Sequence, residues 1–299
     1  MVDLSDNSQV RKQFSRRDFL KLLKAATIEL WLLIGGGAMY GFWIEPHWLK
    51  VEKVNLKLPR LTPAFHRVRI AQISDIHMGG WMNAERLQHV ADIVLAQQPD
   101  ILLLTGDYLI GHVFDDTAEQ SIQDLIKILS PLARSIPSFA ILGNHDYWTN
   151  AKAVREMLES CKIMDLTNTV FKLSRGGESL HLCGLDDIWE GDVRLNDVLN
   201  QLPSDGAAIL LAHEPDFADT SAKTRRFDLQ VSGHSHGGQV VIPFYGAPIL
   251  PYLGQKYPSG LYKIGDMYQY TNRGIGMLDP PVRFNCAPEI TLFTLESNG

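Results

Sequence analysis

The chain has 299 residues, of which 45% are hydrophobic and 21% are charged, a composition typical of a folded globular protein. Its formal net charge of -6 at pH 7 argues against a specific nucleic acid partner, because a general electrostatic grip on nucleic acid needs clustered lysines and arginines. The three cysteines, Cys161, Cys183 and Cys286, are widely separated and indicate neither a zinc knuckle nor a disulfide framework.

The first 50 residues predict a segment separate from the globular domain, which we place at residues 51–299. The basic side chains before an apolar run at residues 25–44 are Arg11, Lys12, Arg16, Arg17, Lys21 and Lys24. This order is typical of a signal peptide or a membrane anchor with a connector. Residues 15–21, which read Ser-Arg-Arg-Asp-Phe-Leu-Lys, resemble the bacterial twin-arginine export signal, so we expect the twin-arginine export machinery as a partner.

The apolar run is about 20 residues long, which is enough to cross a bilayer if Glu29 is tolerated near one end. Because the basic residues before it should stay in the cytoplasm, we expect the chain after Glu45 to lie outside, in the periplasm or at the cell surface. The absence of a clear Ala-x-Ala site leaves open whether the segment is cleaved. The alternative is an amphipathic helix that lies on the membrane surface.

A buried strand is predicted at residues 68–73, where the side chains are apolar and often β-branched. It leads directly into Asp75 and His77. In an extended strand end, residues i and i+2 point to the same side, so we expect this carboxylate and this imidazole to face one cavity.

The next elements predict a parallel strand-helix-strand unit. Residues 83–97 have a helical rhythm of apolar side chains, and Asn83 is a good N-cap. A second buried strand at residues 101–104 then leads into Asp107. Because the carboxyl ends of parallel strands meet at one edge of a sheet, Asp107 is expected near Asp75 and His77.

A helix at residues 118–132 and a strand at residues 139–142 follow, and the strand leads into Asn144, His145 and Asp146. Three successive strands therefore end in residues that bind metals or transfer protons. An ordinary solvated turn could explain one such strand end, but it is a poor explanation for three in succession. The pattern therefore indicates a functional site.

The second half of the chain predicts more strands than helices. Its expected elements are a hairpin of residues 171–174 and 179–185, a short helix within residues 192–202, and strands at residues 207–212, 229–231, 261–264, 268–271 and 290–295. We expect the last three strands to close a second sheet in antiparallel pairing. Residues 243–258, rich in Pro, Gly and Tyr, predict a loop near the site.

Two strands of this second half also end in histidine. His213 follows the strand at residues 207–212, and His234 and His236 stand between glycines after the strand at residues 229–231. Two imidazoles one residue apart can each offer a ring nitrogen to a metal. By themselves they could equally lie on a solvated loop.

The candidate site residues at all these strand ends are Asp75, His77, Asp107, Asn144, His145, His213, His234 and His236. They are too many for one tetrahedral zinc but suit two metal ions that share a carboxylate, for which Asp107 is the natural bridge. Carboxylate and amide oxygens mixed with imidazole favour Mn, Fe, Zn or similar divalent ions.

These ordered blocks, from residue 68 to about residue 240, resemble the signature of the calcineurin-like metallophosphoesterases. The resemblance implies an α/β fold with two packed mixed β-sheets flanked by helices, a four-layer αββα sandwich. The twin-arginine start and residues 271–274 are similar to the YkuE/YaeI-type bacterial branch of the family.

The resemblance also implies the role of each residue. One metal ion would take Asp75, His77, Asp107 and His236, and the other would take Asp107, Asn144, His213 and His234. His145 would face the substrate as the general acid, with Asp146 available to orient its ring. A hydrogen-bond role for His145 without proton transfer is the alternative. Arg273 either binds a phosphate oxygen or forms a structural ion pair.

The implied activity is dinuclear metal-dependent hydrolysis of a phosphoester, most consistent with a phosphodiesterase, by attack of a metal-bridged hydroxide. One alternative is hydrolysis of a lipid-linked pyrophosphate of the UDP-diacylglucosamine type at the cytoplasmic face of the inner membrane. Another is a non-catalytic scaffold that keeps its metal ions. The loop at residues 243–258 and the side chains of Trp81, Trp148 and Trp189 are candidates for shaping the substrate pocket.

Overall fold

The computed structural model describes residues 15–297, so the predicted basic residues Arg11 and Lys12 lie outside the described range. The strands are β1 (Lys50–Lys57), β2 (Arg69–Ile73), β3 (Ile101–Thr105), β4 (Ser138–Ile141), β5 (Met164–Asp165), β6 (Thr169–Arg175), β7 (Glu178–Gly184), β8 (Ala207–Leu211), β9 (Leu229–Ser232), β10 (Gly260–Ile264), β11 (Met267–Thr271) and β12 (Glu289–Glu296). The α-helices are α1 (Arg16–Met39), α2 (Ala84–Ala96), α3 (Asp116–Ser135), α4 (Asn144–Thr149), α5 (Ala151–Cys161), α6 (Leu195–Gln201) and α7 (Ala218–Lys223).

The strands form two six-stranded mixed sheets. The first has the order β1-β12-β2-β3-β4-β5 and the second has the order β10-β11-β9-β8-β7-β6. In the first sheet β2, β3 and β4 run parallel, and in the second β7, β8 and β9 run parallel. The α/β class and the two mixed sheets expected from the sequence are therefore confirmed.

The alternation of side chains along the central strands explains why the sheets stack in four layers. In β3, Leu103 faces the second sheet across a shared apolar core, whereas Leu102 and Leu104 pack towards the helices on the outer side. In the same way, Ile209 of β8 faces the first sheet and Leu210 faces the helices that cover the second. Helices thus flank both sheets, in the predicted αββα arrangement.

Local signals in the sequence explain the helix starts. The side chain of Asn83 accepts a hydrogen bond from the backbone N–H of Arg86 at 3.0 Å, as predicted for the N-cap of α2. The helix predicted from residue 118 starts at Asp116, because Asp115 caps it by accepting from the N–H of Ala118.

The last strand lies in the first sheet, and the prediction that it closes the second sheet is wrong. β12 lies in the first sheet, where it pairs parallel to β1 and antiparallel to β2. Its alternating pattern, with Phe293 in the core between the sheets and Leu292 on the helix side, suits a central strand of either sheet. Strand β1, which sequence reasoning missed, is an edge strand rich in lysine, and such edges resist pairing with other chains.

The N-terminal helix α1 lies outside the sandwich, with its apolar side chains exposed. Within the described residues, one helical segment, Arg16–His47, is long and apolar enough to cross a membrane, although a signal sequence near the N-terminus has the same character. The side chain of Ser15 caps α1 by accepting from the N–H of Asp18. The orientation of this helix in a membrane stays a prediction.

Residues that follow α1 are packed against the domain. The carboxylate of Glu45, 3% exposed, accepts hydrogen bonds from the backbone N–H groups of Asn285 and Cys286. Gly41 is buried against Val282 and the backbone of Arg283. The domain boundary at residue 51 stays a prediction, while the buried contacts begin about ten residues before it.

We predict that Glu45→Ala lowers the free energy of unfolding by about 1–3 kcal/mol, because it leaves the N–H groups of Asn285 and Cys286 without their carboxylate. Urea denaturation of the detergent-solubilised chain, followed by circular dichroism, measures the change. The control is Glu29→Ala on the exposed surface of α1, which should shift stability by less than about 0.5 kcal/mol. Equal effects of the two substitutions would contradict this account of the junction.

Candidate metal centre

The predicted ligands come together where the parallel strands of both sheets end. Three groups of side chains have ligand atoms within 4.8 Å of one another: Asp75, His77 and His236; His77, Asp107 and His145; and Asp107, His213 and His234. All of these residues are buried. Their donor atoms lie where the two sheets meet, as expected for the carboxyl ends of parallel strands.

The carboxylate of Asp107 lies between two sets of histidines. Its Oδ2 is 3.5 Å from Nε2 of His77 and 3.2 Å from Nε2 of His213. On the first side, Nε2 of His77 and Nε2 of His236 are 3.0 Å apart, with Oδ1 of Asp75 3.5 Å from the same nitrogen of His236. This arrangement fits a carboxylate shared by two adjacent cation sites.

Several donor atoms here lack any hydrogen-bond partner among the described residues. They are Oδ2 of Asp75, Oδ1 of Asn144 and Nε2 of His213. A buried polar atom without a partner is costly, so such a concentration points to a ligand that satisfies it. Oxygen and imidazole donors together suit divalent ions such as Mn, Fe or Zn. The residues therefore fit the binuclear cation site expected from the sequence.

Backbone carbonyls orient two of the imidazoles from behind. Nδ1 of His213 lies 2.6 Å from the carbonyl oxygen of Thr105, and Nε2 of His234 lies 2.7 Å from that of Tyr252. A ring nitrogen that faces a carbonyl must carry a proton, so the other nitrogen is the one that a cation can bind. His213 thus offers Nε2 to the site and His234 offers Nδ1.

The ligand backbone differs from the extended geometry predicted by sequence reasoning. Asp75 and His77 have φ angles of 52° and 50°, and His234 and His236 have φ angles of 69° and 51°. Each pair therefore reaches one side through left-handed residues just beyond the strand end, and not through strand alternation. Asp107 has the same conformation, with φ of 58°. Non-glycine residues in this region are strained, and such strain is typical of functional sites.

Two glycines permit the close approach of these segments. A Cβ atom on Gly143 would lie 2.4 Å from Oδ1 of Asp107, and one on Gly233 would lie 2.3 Å from Oδ2 of Asp75. Both distances are too short for any side chain. These glycines are therefore required by the packing of the ligands.

The structure corrects the role expected for Asp146. Its carboxylate accepts hydrogen bonds of 2.8 to 3.3 Å from the backbone N–H groups of Asp107, Tyr108, Leu109 and Gly143. These bonds hold the loop that carries Asp107. The ring of His145 is oriented instead by Ile110, whose carbonyl oxygen lies 3.2 Å from Nδ1.

Burial dominates the electrostatics of the ligands. It lowers the pKa of His77 and of His234 to about 3, so both rings are neutral at pH 7 and can donate lone pairs. Burial also raises the pKa of Asp75 to about 7. For Asp107 burial acts in the same upward direction, but the charges of His213 and His145 hold its pKa well below the usual value.

The sequence leaves two roles open for Arg273, phosphate binding and a structural ion pair, and its contacts distinguish them. Its guanidinium pairs with Glu289 at 2.6 Å and with Glu52 at 2.7 Å, which favours the structural ion pair. Sequence reasoning missed Arg283, which is fully buried and donates hydrogen bonds to the carbonyls of Arg273 and Gly276 behind Asp75. Only the fold shows its role, because its partners are backbone atoms.

A cavity of about 740 Å³ opens over the cluster. Its walls include Asp107, Asn144, His145, His234 and His236 from the cluster, and Trp148 and Trp189 from the predicted pocket residues. The loop at residues 243–258 also contributes to the walls, as predicted. Trp81 lies elsewhere, in a smaller cavity beside α2.

Comparison with known proteins identifies the family. The sequence profile of the calcineurin-like phosphoesterases matches residues 68–238. The chain belongs to the calcineurin-like phosphoesterase family. It is 35% identical over 292 residues to the metallophosphoesterase YkuE of Bacillus subtilis (strain 168), a match that covers 96% of this chain and 100% of YkuE.

Two further relatives support membership of this calcineurin-like family. The phosphodiesterase YaeI of Escherichia coli (strain K12) is 31% identical over 285 residues, covering 94% of this chain and 99% of YaeI. A transmembrane protein with a metallophosphoesterase domain from Danio rerio is 28% identical over 272 residues, covering 87% of this chain and 60% of that protein. The chain is thus a metal-dependent phosphoester hydrolase, and the YkuE/YaeI branch is supported.

We predict that the affinity for Mn²⁺ rises with pH between pH 6 and pH 8. Because the pKa of Asp75 is raised to about 7 by burial, a proton competes with the cation below that pH and is absent above it. Calorimetric titration of the metal-stripped protein should give a dissociation constant about tenfold weaker at pH 6 than at pH 8. The control is the number of protons that the protein releases when Mn²⁺ binds at pH 6. It is measured from the binding enthalpy in two buffers of different ionisation enthalpy. An affinity that does not depend on pH would contradict the prediction.

Proposed function

We propose that the chain is a dinuclear phosphodiesterase. Asp75, His77, Asp107 and His236 would hold one divalent ion, and Asp107, Asn144, His213 and His234 would hold the other. The observation that carries this proposal is the position of Oδ2 of Asp107, 3.5 Å from His77 on one side and 3.2 Å from His213 on the other. The ions, when bound, supply a nucleophile at neutral pH and positive charge for the phosphoryl oxygens.

Hydrolysis joins the oxygen of water to phosphorus, breaks the bond from phosphorus to the leaving oxygen, and places a proton on that oxygen. His145 is our candidate for the proton donor. It lines the cavity, and its Nδ1 faces the carbonyl oxygen of Ile110, so Nε2 would carry the second proton of the imidazolium and give it to the leaving oxygen. Asp146 acts on the site by holding the backbone around Asp107.

We also propose that residues 1–50 form a twin-arginine signal and membrane anchor that places the catalytic domain outside the cytoplasm. The exposed apolar surface of α1 and the similarity to the transmembrane protein of Danio rerio support a membrane link. A lipid-linked pyrophosphate hydrolase of the UDP-diacylglucosamine type, at the cytoplasmic face, is the alternative. A non-catalytic scaffold is less well supported, because the chain has a suitable side chain at every predicted ligand position and at His145.

We predict that metal-stripped protein hydrolyses bis(p-nitrophenyl) phosphate only after Mn²⁺ is restored, and that Asp107→Asn lowers kcat/KM by at least about 100-fold. The amide removes the negative charge that both cation sites share. The matched control is Asp197→Asn on α6, where the carboxylate is 53% exposed and activity should not change. Full activity of Asp107→Asn with Mn²⁺ present would contradict the shared-carboxylate proposal.

We predict that His145→Asn lowers kcat on an alkyl diester with a poor leaving group by about 100- to 10,000-fold. The loss on bis(p-nitrophenyl) phosphate should be much smaller, since p-nitrophenolate leaves without a proton. Metal content is measured in parallel, because it should match the wild type. Equal losses on both substrates would assign His145 to hydrogen bonding without proton transfer.

A further inference from the structure

Beside the metal centre, the chain holds large apolar side chains out into solvent. We call residues 242–252 the apolar tip. Within it, Ile249 is 78% exposed, Tyr245 is 74% exposed and Phe244 is fully exposed. Folded proteins rarely present so many large apolar side chains on one short loop unless the loop contacts a partner or a membrane.

Hydrogen bonds hold the apolar tip in a defined turn. The backbone groups of Ile242 and Gly246 exchange two hydrogen bonds of 2.9 Å each. Phe244 lies between them in a left-handed conformation with φ of 67°. The exposure of Phe244 is therefore built into the backbone of the turn.

The root of the apolar tip lies close to the end of α1. The N–H of Val241 donates to the carbonyl of Phe284 at 2.8 Å, and the ring of Phe284 contacts Tyr40 with a centroid separation of 5.9 Å. The N–H of Arg283 also donates to the carbonyl of Gly41 at 3.0 Å. Hydrogen-bonded segments lie about 5 Å apart, so the tip starts on the order of 10 Å from the point where α1 ends.

The residues at that point are typical of a membrane surface. Phe42, Trp43 and Trp48 are all exposed just after α1. Exposed tryptophans at the end of an apolar helix are enriched at the boundary between lipid and water. If α1 is an anchor, as proposed above, the bilayer surface passes beside the root of the apolar tip.

The other side of the apolar tip forms part of the catalytic cavity. Pro248, Ile249 and Pro251 line it, and Val240 and Val282 extend the apolar wall. Ile249 therefore belongs both to the cavity wall and to the exposed surface. The wall runs from the metal centre towards the side of the molecule where α1 ends.

We propose that the apolar tip is a second contact with the bilayer that holds α1, and that the site takes a phosphodiester carrying an apolar chain. The phosphoryl group lies at the metal centre, while the chain follows the wall formed by Pro248, Ile249 and Val282 towards the lipid. This inference rests on the proposed phosphodiesterase and on the proposed anchor. It adds the substrate class and the surface that receives the substrate.

The first test compares two substrates that share a leaving group, methyl p-nitrophenyl phosphate and hexadecyl p-nitrophenyl phosphate. The full chain is reconstituted with Mn²⁺ in phosphatidylcholine and phosphatidylglycerol vesicles. We expect higher kcat/KM on the hexadecyl diester. Phe244→Asn, which keeps a residue that tolerates positive φ, should lower that value about tenfold and leave hydrolysis of the methyl diester unchanged.

The matched control for this substitution is Leu261→Asn on β10, another exposed apolar residue, which should change neither rate. Equal rates on the two diesters, or no effect of Phe244→Asn on the hexadecyl diester, would overturn the inference while leaving the phosphodiesterase intact. Failure to hydrolyse either diester would instead count against the proposed function.

The second test measures the membrane contact directly by fluorescence and does not depend on hydrolysis of a substrate. Because Cys161, Cys183 and Cys286 are buried, an environment-sensitive fluorophore can be attached selectively to Phe244→Cys, with Leu261→Cys as the control. We expect the label at position 244 to shift to shorter wavelength in vesicles and to be quenched by spin-labelled lipid, and the label at position 261 to stay in water. A water-exposed label at position 244, or efficient disulfide linkage between copies through that position, would overturn the membrane contact.

Discussion

The structure depends on how the chain stabilises the buried carboxylate of Asp107 between two sets of imidazoles. A charge taken out of water is costly unless it is paired and hydrogen-bonded. Here Oδ1 accepts the N–H of His145 at 2.9 Å, and Oδ2 faces His77 and His213. Several polar atoms around it lack hydrogen-bond partners, and bound cations would satisfy them. We therefore expect bound cations to contribute to the stability of the fold as well as to its chemistry.

Two features of the scaffold keep that arrangement in place. Neighbouring parallel strands bring their carboxyl ends to one edge, and the shared core between the sheets fixes the two edges against each other. Beyond the strand ends the backbone is strained, and buried groups such as Asp146 and Arg283 hold it by bonding to backbone atoms. The candidate ligands are thus positioned by the fold and by these buried groups without any bound cation.

Sequence reasoning predicted the parts of the molecule that follow from local pattern. The apolar runs before Asp75, Asp107 and Asn144 predicted the buried strands, and the order of the polar blocks predicted the family. It failed where tertiary contacts decide. The pattern of β12 suits either sheet. Arg283 and Asp146 bond to backbone groups, which have no residue-specific signal in the sequence, and no glycine indicates the left-handed backbone at His77.

The candidate metal centre, its apolar cavity wall and the end of α1 lie along one side of the molecule, and this is why we propose a membrane at that side. The central claim is that two cations share Asp107. Titration of the metal-stripped chain with Mn²⁺, followed by electron paramagnetic resonance, tests it most directly. Our account predicts saturation near two equivalents per chain with a spin-coupled spectrum, and a single equivalent with the spectrum of isolated Mn²⁺ would contradict it.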